Sequence, residues 1–207
     1  MENEYLPKIG ITLGDINGIG PEVLLKALDT KRVNKICNPI IYGSGKHLSK
    51  YKQFVDLHHW QFVTINEPKQ ANAKNSNLIN CGKGEFFEID FGKKDPKAGQ
   101  LAFECLKRAT EDLKKGEIDA LVTAPISKEN IQSESFSFPG HTEYLAKEFE
   151  KKDVLMFMIS EDIRIGVVTG HIPIDLVKKK LTKELITSKL KIMIESLKID
   201  FGLTKPK

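Results

Sequence analysis

The sequence predicts an α/β fold: a mostly parallel sheet with helices on both faces, in a three-layer α/β/α arrangement. Three observations lead there. Short apolar runs of strand length alternate with stretches of helical period along the whole chain. Polar and glycine-rich segments follow directly on the ends of the apolar runs, at Gly14–Gly20, Ala124–Lys128 and Gly170–His171, where α/β proteins build their sites. Finally, Val154–Ser160 and Ile163–Thr169 are separated only by Glu161 and Asp162, which adds one antiparallel pair.

Taken in order, Lys8–Leu13 is a buried strand with Ile9, Ile11 and Leu13 apolar. It runs into Gly14-Asp15-Ile16-Asn17-Gly18-Ile19-Gly20. Pro21 and Glu22 then open a helix, because proline suits the first helical position and an acid suits the first turn. Pro39–Tyr42 is a second strand, ending at Gly43-Ser44-Gly45, and His47–Val55 is a helix. Phe62–Ile65 and Phe86–Ile89 read as strands, and Asn66–Asn80, rich in Asn, Lys and Pro, as an exposed loop. Ala98–Lys114 is a long helix whose Leu101, Ala102, Cys105, Leu106 and Ala109 share a face, with Gly116 as its C′ residue. Asp119–Thr123 is a buried strand. Glu143–Glu150, Ile174–Lys180 and Lys183–Ile199 are helices, and no segment repeats internally.

Composition narrows the function. The chain has 207 residues, 40% hydrophobic and 29% charged, an ordinary globular balance. The net charge is +4, from 32 basic and 28 acidic residues. Lys178, Lys179 and Lys180 lie on an amphipathic helix and read as a solvated face, so no nucleic-acid partner is expected. No apolar run reaches the ~18–20 residues of a membrane helix, and the first residues lack the apolar stretch of a signal peptide. No membrane partner and a cytoplasmic location are expected. Cys37, Cys81 and Cys105 are widely spaced and odd in number, which suits reduced core thiols better than a disulfide frame or a cysteine zinc site.

Three constellations could carry chemistry. Gly14–Glu22 lets backbone approach a ligand before a helix N-terminus that favours anions, yet it completes neither a G-x-G-x-x-G pattern nor a P-loop. A tight structural turn explains it equally well. Pro139-Gly140-His141-Thr142-Glu143 presents a histidine and a hydroxyl just before a helix that Thr142 would cap. The pair suits a phosphate or carboxylate, or is an ordinary cap beside a surface histidine. Thr169-Gly170-His171-Ile172-Pro173 places His171 where a strand meets a loop. Imidazole is a common metal ligand, but one histidine is not a site. His58 and His59 beside Trp60 read as surface or packing residues.

Together these segments resemble the 4-hydroxythreonine-4-phosphate dehydrogenase family of pyridoxal phosphate biosynthesis. The resemblance rests on Ile11-Thr12-Leu13-Gly14-Asp15, Gly18-Ile19-Gly20-Pro21-Glu22, Val122-Thr123-Ala124-Pro125-Ile126-Ser127-Lys128, Pro139–Glu143 and Thr169–Pro173, in the family's order. It implies an isocitrate/isopropylmalate dehydrogenase-like fold with two domains around a cleft. Here they would be residues 1–124 and the dimerisation and substrate domain 125–207. The resemblance also implies NAD(P)-dependent oxidation of 4-phosphohydroxy-L-threonine, followed by decarboxylation to 3-amino-2-oxopropyl phosphate. NAD or NADP is the expected cofactor, with a divalent metal: zinc, or magnesium or cobalt in its place. By motif match, His141 and Thr142 bind substrate and His171 is the first of three metal histidines. Asp15 and Lys128 lie in family motifs without an assigned role. The expected assembly is a homodimer.

The family's chains are longer than this one. Its second metal histidine, in an Asn-Pro-His-type motif, and its third are expected beyond Lys207, so the chain reads as truncated and inactive alone. Two alternatives stand beside this reading. One is a dehydrogenase of a threonate- or erythronate-type four-carbon sugar acid 4-phosphate. The other is a non-catalytic binding or dimerisation module.

Overall fold

The computed structural model describes residues 5–82, 86–133 and 136–206. They form two compact units, Met1–Leu145 and Ala146–Lys207.

The first unit is built on a five-stranded sheet: β1 (Lys8–Thr12), β2 (Asn38–Gly43), β3 (Val63–Ile65), β4 (Asn77–Asn80) and β5 (Ala120–Thr123). All pairings are parallel and the order is β3-β4-β2-β1-β5. Successive side chains alternate between faces. Ile41 and Leu78 join Leu24, Leu25 and Leu28 of α1 (Gly20–Asp29) and Leu48 and Tyr51 of α2 (Gly45–Phe54). On the other face, Ile40, Tyr42 and Ile79 meet Leu101, Cys105 and Ala109 of α3 (Pro96–Lys114). The α/β three-layer expectation therefore holds in this unit, and the three cysteines are free and buried.

Helix α3 shows why the local sequence folds as it does. Asp95 caps it by accepting from Lys97 N at 2.8 Å, and Pro96 fills the first turn. Gly116, at φ +71°, ends it in the left-handed conformation that glycine adopts without penalty. A further face of α3, with Ala102, Phe103 and Leu106, packs on Ile131, Phe136 and Tyr144. That packing ties residues beyond Ala124 to the first unit, which extends to Leu145.

Three expectations need correction. Asn66–Asn80 is not loop throughout, because its last four residues are β4, inside the sheet. Asn77 is buried there because its Nδ2 donates to Asn38 Oδ1 and to Pro39 O, both at 3.0 Å. Asn80 Oδ1 accepts from Gly45 N at 2.9 Å. Phe86–Ile89 is not a strand. Phe87 and Ile89 pack on the core, but the Phe87 backbone meets the His47 ring instead of a strand neighbour. Finally, β5 is not buried. It is an edge strand, and Val122 is 51% exposed.

The second unit contains an antiparallel hairpin, β6 (Met156–Ile159) and β7 (Arg164–Val167), as expected, and helices α5 (Ile174–Lys180) and α6 (Lys183–Ile199). Helix α4 (His141–Glu148) spans the boundary between the units. Thr182 caps α6 through Leu185 N at 3.2 Å. Asp153 holds Ser188 Oγ at 2.6 Å and the Lys189 ammonium, tying the hairpin's entry to α6. Among the described residues, Leu197 is the one buried apolar side chain of this unit. Leu190 and Ile194, on the same helix, are exposed.

Candidate functional site

From β1 the chain moves through α1 to β2 on one side, whereas β5 pairs with β1 on the other. The order thus reverses at β1, and the crevice beyond the C-terminal ends of β1 and β5 is where such sheets bind ligands. The loop after β1 and the turn after β5 flank it, and both are motifs singled out from the sequence.

These two segments are bonded to each other. Asp15 N donates to Pro125 O at 2.9 Å. Gly14 sits at φ +69°, and a Cβ there would lie 2.2 Å from Pro125 O. A Cβ on Gly20 would lie 2.6 Å from Leu13 O and 3.0 Å from the Ala124 methyl. Two of the loop's glycines therefore serve contact between chain segments, the structural-turn alternative of the sequence reading. Asn17, also buried, pins the residues before α3. Its Oδ1 accepts from Asp90 N at 3.0 Å, its carbonyl accepts from Gly92 N at 2.9 Å, and its Nδ2 donates to Lys93 O at 3.3 Å. Tyr51 Oη donates to Gly18 O at 2.7 Å. Burial, followed by the nearby charges of Glu22 and Asp15, pushes the Tyr51 hydroxyl up to about 12, so it stays a donor.

The Pro139–Glu143 motif joins this assembly. A Cβ on Gly140 would lie 4.0 Å from Lys128 Cε, which places the Lys128 stem alongside Gly140. His141 is the first residue of α4, so the expected capping by Thr142 is corrected. Thr142 lies exposed inside the first turn, and the Gly140 carbonyl accepts from Tyr144 N at 3.3 Å. The His141 Nε2 is enclosed and has no partner among the described residues. Burial holds the His141 ring below the ordinary imidazole range and keeps it neutral. A buried polar atom without a partner is rare in folded proteins and is open to a ligand atom.

His171 lies in the second unit, between β7 and α5, and is exposed. Among the described residues, no three His, Cys, Asp or Glu side chains are grouped as a metal site. The residues described here therefore do not fit a metal on their own. His58 and His59 are surface residues, on Asp56 at 3.4 Å and Asp29 at 2.7 Å.

Two features had no signal in the sequence. His47 is wholly buried, with Nδ1 2.8 Å from Ser44 Oγ and Nε2 3.2 Å from Phe87 O. Asp15 reaches Asn130 across the fold, and Asn130 Nδ2 donates to Asp15 Oδ2 at 2.9 Å. Asp15 was legible as a motif residue, but no spacing rule pairs positions so distant.

The sequence model of the family described as pyridoxal phosphate biosynthetic protein PdxA matches residues 35–207. The chain belongs to the PdxA family. A 4-hydroxythreonine-4-phosphate dehydrogenase of Bacteroides thetaiotaomicron is 42% identical over 201 residues, 97% of this chain and 55% of that protein. A Clostridium botulinum protein with a provisional D-threonate 4-phosphate dehydrogenase name is 33% identical, covering 86% of this chain and 54% of its own length. The crystal structure of a 4-hydroxythreonine-4-phosphate dehydrogenase from Burkholderia phymatum superposes with a TM-score of 0.85 at 31% identity. That match covers 99% of this chain and 62% of the other. The α/β architecture is thus that of PdxA-family structures, and the chain spans about half the length of the curated relatives it matches.

Proposed function

We propose that the protein containing these residues is a 4-hydroxythreonine-4-phosphate dehydrogenase. It oxidises the secondary alcohol of 4-phosphohydroxy-L-threonine, and the resulting 3-oxo acid decarboxylates to 3-amino-2-oxopropyl phosphate. The observation that carries this reading is the His141 helix start in a PdxA-family chain. There an enclosed, unpartnered imidazole nitrogen belongs to the residue between Thr142 and Gly140, and the Lys128 stem passes alongside Gly140. A neutral donor, a hydroxyl and a cation together suit a phosphorylated hydroxy acid. His141 and Thr142 are proposed to bind that substrate.

NAD or NADP is proposed as the hydride acceptor. His171 is proposed as one ligand of a divalent metal, zinc or a substitute, which when bound would polarise the reacting oxygen. The domain division at 1–124 and 125–207, a cytoplasmic location and a homodimer belong to the same proposal. Exposed Met158 and Ile165 on the hairpin support an assembly surface.

A second reading, oxidation of a four-carbon sugar acid 4-phosphate, is favoured by the likeness to the Clostridium botulinum protein. The two substrates share a terminal phosphate and a neighbouring hydroxyl. The complete gene product containing these 207 residues should be given each substrate with NAD+ and with NADP+, then both in competition. Reduction of nicotinamide with the amino acid is expected. Turnover of the sugar acid alone would replace the first reading with the second.

A further inference from the structure

We infer that Asp15 and Asn130 form a latch that sets the position of Lys128 against the His141 helix start, making Asp15 a positioning residue of the site. Asp15 is 6% exposed. Its Oδ1 accepts from Asn17 N and its Oδ2 from Asn130 Nδ2, each at 2.9 Å. No cation pairs with it among the described residues. A buried carboxylate held only by N–H donors is costly to place, and its charge-assisted bonds tolerate little change in geometry.

The turn it grips has little freedom. Ile131 N donates to Ser127 O at 3.1 Å, and Asn130 N donates to Ser127 Oγ at 3.3 Å. The Asn130 carbonyl lies directly on α3, where a Cβ at Gly99 would come within 1.8 Å of it. Lys128 sits inside this closed turn, and its Cε passes Gly140. Together with the Asp15 N–Pro125 O bond, this side-chain bond, spanning 115 positions, fixes the opening loop, the Ser127–Ile131 turn and Lys128 as one piece. If Lys128 shifts, the surroundings of His141 shift with it.

The inference rests on the substrate reading only in that Lys128 and His141 face the substrate. The test uses the complete gene product and two variants. Asn130→Ala removes the donor, and Asp15→Asn combined with Asn130→Asp reverses donor and acceptor while keeping an oxygen for Asn17 N. Three quantities are measured: kcat and KM for the phosphorylated substrate, the His141 imidazole NMR signals without substrate, and Tm. Asn130→Ala is expected to raise KM about tenfold, the scale of one charge-assisted hydrogen bond, and more than it lowers kcat. It should also move the His141 signals, and the swap should restore both. A lowered Tm with unchanged KM and His141 signals overturns the latch as a positioning device. So does a folded swap variant that restores neither. If no phosphorylated substrate turns over, the substrate reading fails while the His141 signals still decide the latch.

Discussion

His47 makes the fold sensitive to acid. Burial lowers its pKa below the ordinary 6.5, against a smaller opposing effect of the Phe87 backbone. The sign follows from linkage. The unfolded chain binds the proton more readily, so the stability contribution is complete above about 6.5 and is lost as the pH falls toward the lower folded value. Thermal melts between pH 7.5 and 5 should show this decline, and His47→Gln should flatten it while lowering Tm at neutral pH. Equal acid slopes in the two proteins would dismiss the idea. His141 obeys the same sign, since burial depresses its pKa too. Its NMR titration midpoint should lie below 6.5 and should rise when a phosphate dianion binds beside the ring. A midpoint indifferent to phosphorylated substrate would remove His141 from the binding site. The two histidines also differ in legibility. His141 stands in a Pro-Gly-His-Thr-Glu segment whose turn and helix start are visible in sequence, whereas His47 is one polar residue on a helix, and although Ser44 is a local partner only the fold supplies Phe87.

Elements were legible where periodicity and caps agreed. The opening strand, loop and helix, the long α3 and the β6–β7 hairpin all follow from apolar spacing and from the Pro and Gly that punctuate it. Reading failed where polarity and position disagreed. Asn77 looked like loop because its burial depends on Asn38 and Pro39, remote in sequence. Phe86–Ile89 looked like a strand because its apolar residues do pack, although its backbone has no strand neighbour. Gly99 makes the element scale testable. Alanine in a helix interior ordinarily stabilises by up to about 1 kcal/mol relative to glycine. Here the new methyl would meet the Asn130 carbonyl at 1.8 Å, a backbone atom that has no rotamer by which to yield. Gly99→Ala should therefore lower the unfolding free energy by about 1–3 kcal/mol, the usual range for overpacking. A urea titration showing a neutral or stabilised variant would mean that the turn is looser than the geometry implies.

On the scale of the molecule, the two units differ in how they are held. The first has helices on both faces of its sheet and three connected clusters of buried apolar side chains. The second has Leu197 as its one buried apolar residue among those described, with Met158, Ile165, Leu190 and Ile194 exposed. An apolar face of α6 is legible in the sequence, because Ile186, Leu190, Ile194 and Leu197 recur at helical spacing. What covers it is not, since periodicity gives a face and never its partner. Local opening is cheapest where buried apolar contact is least. Hydrogen exchange of the 207-residue chain should therefore find the amides of β1, β2, β4 and α3 the slowest. Those of β6, β7, α5 and α6 should exchange much faster in the same sample. The complete gene product should show extra protection in α6 if that face is covered when the protein is whole. Equal protection of both units in the 207-residue chain would mean that polar ties, such as Asp153 to Ser188 and Lys189, hold the second unit as firmly as a core, against the weight that exposed ion pairs normally carry.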